Sequence, residues 1–232
     1  RGGRFLKTLA LPPRLKTLGS SRAMAMIDTV TLAIRSTINE LYAVDVRSGR
    51  VELLSGLLPA RGDSVIQDFE ADMKTIGDGE VWFTYGNCLL SLRKKGRAFS
   101  CDTVYATKSE NPLVCFARNS QGETWVSNAK GVIRMGVDGE QPVALPTTYV
   151  KHINFDQAGR AWLATTSGIL IVEKGRVLKS IGLKEGLPNP FVYAVLMDHA
   201  GNAWVSTNRG LSEIIPPATG TDSTFRIRPK KS

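Results

Sequence analysis

The chain has 232 residues, 42% hydrophobic and 22% charged, with 22 Gly and 11 Pro. That composition can bury a sizeable core and excludes a disordered chain, and its longest unbroken apolar run, Phe191 to Met197, is far short of the ~20 residues a membrane helix needs. The formal charge of +9 sits at the ends: Arg1, Arg4, Lys7, Arg14, Lys16 and Arg22 precede any acid, and Arg226, Arg228, Lys230 and Lys231 close the chain without one.

The body between those ends is close to neutral, so it lacks the basic stripe expected of a nucleic-acid binder, and no nucleic-acid partner is expected. The basic residues at the ends read as solvated termini. Cys88, Cys101 and Cys115 are odd in number and show no paired metal-ligand spacing, which favours packing thiols over a zinc site or a disulfide framework. No continuous apolar segment of the signal-peptide kind follows Arg1.

In chain order, the first expected element is a strand over residues 3–9, Gly3-Arg4-Phe5-Leu6-Lys7-Thr8, matching the later Gly175-Arg176-Val177-Leu178-Lys179-Ser180. A repeat then begins. Four units carry Gly-x-x-Trp: Gly79 to Trp82, Gly122 to Trp125, Gly159 to Trp162 and Gly201 to Trp204. Each Trp has an apolar residue seven positions later (Leu89, Val132, Ile169, Leu211), and Ile76, Asn119, Asp156 or Asp198 six positions earlier. The same frame fits an earlier copy anchored on Asp28, with Ile34 in the tryptophan's place and Leu41 seven residues on. Anchors at 28, 76, 119, 156 and 198 give a period of the solenoid and propeller class. Short β-rich runs broken by Gly, Asp and Asn favour strands over helices.

Within one unit, Val192 to Met197 is expected as a strand, Asp198 to Gly201 as a tight turn and Ala203 to Thr207 as the next strand. Asp bonds the backbone ahead of it, and Gly supplies the positive φ. A third strand opens at Leu211. A fourth starts at Gly49, Gly96 or Gly175 in earlier units, and Thr224 to Arg228 is expected to supply one more outer strand. Four antiparallel strands per unit, repeated radially, make an all-β propeller. Residues 1–228 are expected to form one propeller segment, followed by a basic tail at 229–232.

The run Glu185 to Ile214 resembles the two-component regulator propeller repeat, through Gly186, Leu187, Pro188, Asn189, Asp198, Gly201, Trp204, Thr207, Gly210 and Leu211. The unit around Asp156 and Trp162 is nearly as similar; those around Trp125 and Trp82 are looser. The resemblance implies a seven-bladed propeller in the extracytoplasmic or periplasmic sensor of a bacterial hybrid histidine kinase or related protein. With five complete units, the chain is expected to be part of such a ring or a shortened one. A non-enzymatic sensory role follows, with a small molecule or oligosaccharide, or a signalling output domain, as partner.

Loops leading into first strands are where such a ligand is expected, which makes Phe69, Asn111, Tyr149, His152, Asn189 and Phe191 the candidate binding residues. Aromatic rings there can stack on a sugar; ordinary rim packing is the competing expectation. No cofactor, metal site or catalytic residue is expected. Asp78 to Thr84 also resembles the streptogramin lyase-like propellers, which use histidine and glutamate with magnesium. Only His152 and His199 exist here, and neither shows the positioned partner that general-base chemistry needs. A protein-interaction scaffold is the remaining alternative.

Overall fold

The computed structural model describes residues 24–36, 40–60, 71–109, 111–136, 139–146, 149–217 and 224–230. They form five four-stranded antiparallel sheets, each a simple meander in which consecutive strands pair. The expected strand over residues 3–9 lies outside the described residues. Two compact units emerge, Arg1–Pro112 and Leu113–Ser232.

The first unit holds two sheets. One comprises β1 (Met24–Met26), β2 (Thr31–Arg35), β3 (Leu41–Asp45) and β4 (Val51–Leu53); the other comprises β5 (Met73–Gly77), β6 (Glu80–Tyr85), β7 (Cys88–Lys95) and β8 (Ala98–Ala106). Their shared core joins Ala33, Leu41 and Ala43 to Val81, Phe83, Leu90 and Leu92. Here the repeat frame shifts. Ala33, not Ile34, takes the tryptophan's place, and Ile34 packs on the opposite face with Tyr42 and Val44. The reason lies in the turn: Ile27 N–H bonds Thr31 O as Asp198 N–H bonds Asn202 O, so Asp28 stands one residue further along than its apparent counterpart.

The second unit holds three sheets. They are β9 (Leu113–Arg118), β10 (Thr124–Asn128), β11 (Gly131–Gly136) and β12 (Gly139–Val143); β13 (Val150–Phe155), β14 (Ala161–Thr165), β15 (Gly168–Glu173) and β16 (Arg176–Ile181); and β17 (Val192–Met197), β18 (Ala203–Thr207), β19 (Gly210–Ile215) and β20 (Arg226–Pro229). All four tryptophans fall on the second strand of a sheet, as the repeat predicts.

Alternation along the strands gives the sheets two apolar faces, and within the second unit the tryptophan face of one sheet meets the opposite face of the next. Trp125, Cys115 and Ala117 pack on Val150, Ile153, Ala161 and Leu163. Trp162, Ile169 and Ile171 pack in turn on Val192, Val195, Ala203 and Val205. The matching face of the last sheet is open, with Leu196 58% and Leu211 42% exposed.

The Asp-x-x-Gly-x-x-Trp pattern has a local cause. Asp156 Oδ1 accepts the N–H groups of Ala158 and Arg160, while Oδ2 accepts Trp162 Nε1–H at 2.9 Å. Asp198 repeats this with Ala200, Asn202 and Trp204 Nε1–H at 3.0 Å. Those bonds, led by the one from Trp204, hold the Asp198 carboxyl below the usual carboxylate range. One carboxylate thus closes the turn and fixes the indole. Asn119 closes its turn through Oδ1, but its amide nitrogen donates to Glu123. Trp125 Nε1 is accordingly left buried with no hydrogen-bond partner among the described residues.

Candidate functional site

In all three sheets of the second unit the first strand pairs with the second through a β-bulge near its start. The pairing skips one residue: Val114 between Leu113 and Cys115, Lys151 between Val150 and His152, and Tyr193 between Val192 and Ala194. A bulge breaks the in-out alternation and re-aims the extra side chain. Val114 uses its bulge for packing and is buried. Lys151 and Tyr193 do not repeat that choice.

Instead they meet. Lys151 Nζ lies 5.2 Å from the Tyr149 ring centroid, 5.0 Å from Phe191 and 5.6 Å from Tyr193. Phe191 and Tyr193 pack edge to face at 5.2 Å. An ammonium within ~6 Å of a ring face is attracted by its quadrupole, so three rings hold this side chain. Tyr149 and Phe191 immediately precede β13 and β17. Asn189 Oδ1 accepts Phe191 N–H at 2.8 Å, which fixes the loop that presents the ring. Tyr193 donates its hydroxyl to Asn208 Oδ1 and is 41% exposed.

Of the residues expected from sequence, Tyr149 and Phe191 come together here and Asn189 supports them. His152 points the other way. It is buried, its Nδ1 accepts Val195 N–H at 3.4 Å, and Asn154 Nδ2 donates to Val195 O at 3.3 Å. Together they satisfy both backbone groups of Val195 on the free edge of β17. Asn111 belongs to the first unit and bonds Ser109 Oγ through its backbone N–H and its amide. Phe69 lies outside the described residues. Sequence reading missed Lys151 and Tyr193, since bulges leave no mark in a pattern of period two. The one usable signal was Tyr193 and Lys151 standing two residues after Phe191 and Tyr149.

A cavity of about 420 Å³ lies in the first unit, lined by Glu52, Leu53, Leu54, Leu57, Arg97 and Phe99 among others. It sits between the outer strands β4 and β8, away from first-strand loops. Among the described residues, no group of three or more His, Cys, Asp or Glu side chains is arranged to hold a metal ion. His199 is exposed on the turn after β17, beyond the opposite end of the strands from His152. No helix among the described residues is long and apolar enough to cross a membrane.

Residues 186–209 match the family model of the two component regulator propeller. No curated protein sequence matches the chain. Among solved structures, the chain is similar to the extracellular domain of the hybrid two component system BT3049 from B. thetaiotaomicron, with a TM-score of 0.65 and 16% identity over 91% of this chain and 28% of that one. The corresponding domain of BT4673 from the same organism gives 0.63 and 15% over 85% of this chain and 27% of its own. Virginiamycin B lyase from Staphylococcus aureus gives 0.64 and 16%, over 91% and 70%. This chain thus spans little more than a quarter of the two sensor domains. At such identities the likeness speaks for fold, and both groups share it. The fold is that of an all-β propeller with four-stranded antiparallel blades, and the chain carries the two component regulator propeller repeat.

Proposed function

We propose that the chain is a ligand-binding segment of the extracytoplasmic sensor propeller of a two-component-type signalling protein, and that it performs no chemistry itself. The observation that carries this reading is the cluster of Tyr149, Phe191 and Tyr193 around Lys151, presented by the ends of two neighbouring first strands. One exposed tyrosine ring and two half-buried rings around a charged group suit a ring-shaped small molecule or oligosaccharide. The ligand would stack on the rings, and the loops would pass the change in packing to an output domain. The similarity of the fold to extracellular sensor domains agrees with a periplasmic setting. A lyase reading is weaker, because the two histidines do not converge and His152 is committed to Val195.

The test is calorimetric titration of the chain with a panel of mono- and disaccharides. Saturable binding that is lost in Phe191→Ala and Tyr193→Ala, with both variants still cooperatively folded, supports the reading. Full-strength binding by both variants would place the ligand elsewhere and overturn this site.

A further inference from the structure

We infer that the cavity between β4 and β8 in the first unit binds a small zwitterion with an apolar body, the chemistry of an apolar amino acid. The cavity has a cause in the repeat. Ala33 on β2 pairs with Ala43 on β3, which pairs with Glu52 on β4, so the three share one face. In the sheet of β13–β16 the same row reads Trp162, Ile171 and Lys179. Phe225 packs edge to face with Trp162 there, at 5.9 Å between centroids. Phe99 holds the matching place in the first unit, two residues before the β8 partner of Leu92, as Phe225 stands two before the β20 partner of Ile214. It packs on the cluster that holds Ala33 and Ala43, with no indole to fill the space. Interiors ordinarily close such gaps. Here an opening of about 420 Å³ remains, within the range of small-molecule sites.

The lining divides by chemistry. Leu53, Leu57 and Phe99 offer apolar surface, and Leu53 is 55% and Leu57 37% exposed. Glu52 stands on the β4 wall and Arg97 on the turn into β8. Neither charged side chain has a hydrogen bond or ion pair among the described residues. A carboxylate on Arg97 makes a charge-assisted contact, and an ammonium on Glu52 makes another. A ligand bearing both, joined to an apolar side chain, meets the two walls and covers the leucines. A purely apolar molecule leaves both charges unmet, and a singly charged one meets only half.

The experiment titrates the chain by calorimetry with L-phenylalanine, N-acetyl-L-phenylalanine, L-phenylalaninamide and L-serine. We expect L-phenylalanine to bind tenfold or more tighter than each of the others. In Arg97→Gln it should fall to within about twofold of the amide, and in Glu52→Gln to within about twofold of the N-acetyl form. Gly56 also lines the cavity, with open space where a Cβ would stand, so Gly56→Leu should fold normally and abolish binding by filling it. Equal binding of the three phenylalanine forms would overturn the charge pairing, and serine binding as tightly as phenylalanine would overturn the apolar floor; either result rejects the zwitterion. Binding that survives Gly56→Leu, or is lost in Tyr193→Ala, would place the ligand elsewhere and overturn this site. No binding of L-phenylalanine at millimolar concentration would overturn the inference outright. Should a variant fail to fold, the ranking of the four ligands on the unaltered chain decides.

Discussion

A single carboxylate does two jobs in the best-formed repeats. In Asp156 and Asp198 one oxygen closes the turn and the other anchors the indole six residues on, at the start of the next strand. Asn119 can do only the first, and Trp125 carries the cost as a buried N–H without a partner among the described residues. Asp28 in the first unit is held by charge as well as by its turn. Burial by itself would raise its carboxyl, but the Lys94 ammonium at 2.7 Å, the N–H groups of Val30 and Thr31 and the Thr31 hydroxyl outweigh it and hold the pKa at about 2. A depressed carboxylate pKa stabilises the fold above its unfolded value, and that contribution is lost as pH falls towards the folded one. Between about pH 4 and pH 2 the first unit should therefore lose stability that Asp28→Asn lacks from the outset. At neutral pH the variant should be weaker by about 2 kcal/mol. Equal denaturation midpoints for the two proteins at neutral pH would contradict this.

At the scale of the strand, turns and bulges decide what the alternating pattern can do. Gly168 opens β15 at φ +124°, and a Cβ there would lie 2.3 Å from the Ile181 carbonyl oxygen at the end of β16. Only glycine lets the outer strand come home so closely. Gly168→Ala should thus cost about 2 kcal/mol or more, through strain and a backbone shift. Gly175 also has a positive φ, +79°, but open space around it; alanine there should cost about 1 kcal/mol, from backbone strain alone. Chemical denaturation of the two variants side by side measures the difference, and equal losses would show that the close approach does not matter. The bulges act in the other direction. They release Lys151 and Tyr193 from the core pattern and hand them to the site.

For the whole molecule, place in the stack matters more than place in the repeat. Ile169 and Leu211 hold the same frame position, seven residues after a tryptophan. Ile169 is fully buried beneath the next sheet, whereas Leu211 on the last sheet is 42% exposed. Truncating the first should cost about 2–5 kcal/mol, in line with other buried aliphatics cut to alanine. Leu211→Ala should cost less than about 1 kcal/mol. Thermal unfolding of Ile169→Ala and Leu211→Ala tests this, and similar losses would mean that the open face is covered in solution. The open Trp204 is partly shielded by Lys230, whose ammonium lies 5.0 Å from its ring and 2.7 Å from Glu213.

The sequence alone determined the repeat, its strands and its turns, because these follow from local chemistry: Asp and Gly at the turn, Trp six residues on, alternation of period two. It also pointed to Tyr149, Asn189 and Phe191, since loops into first strands are readable from the frame. It misplaced the first unit by one residue, as Asp28 mimics an anchor that the hydrogen bonds assign to Ile27. Tertiary structure alone decided the rest. A bulge adds a residue without changing composition, so the partnership of Lys151 and Tyr193 could not be read from spacing. Burial of Ile169 and exposure of Leu211 likewise depend on whether another sheet lies above, a fact carried by residues far away in the chain. The commitment of His152 to the Val195 backbone is of the same kind: a contact 43 residues apart, invisible until the two strands lie side by side.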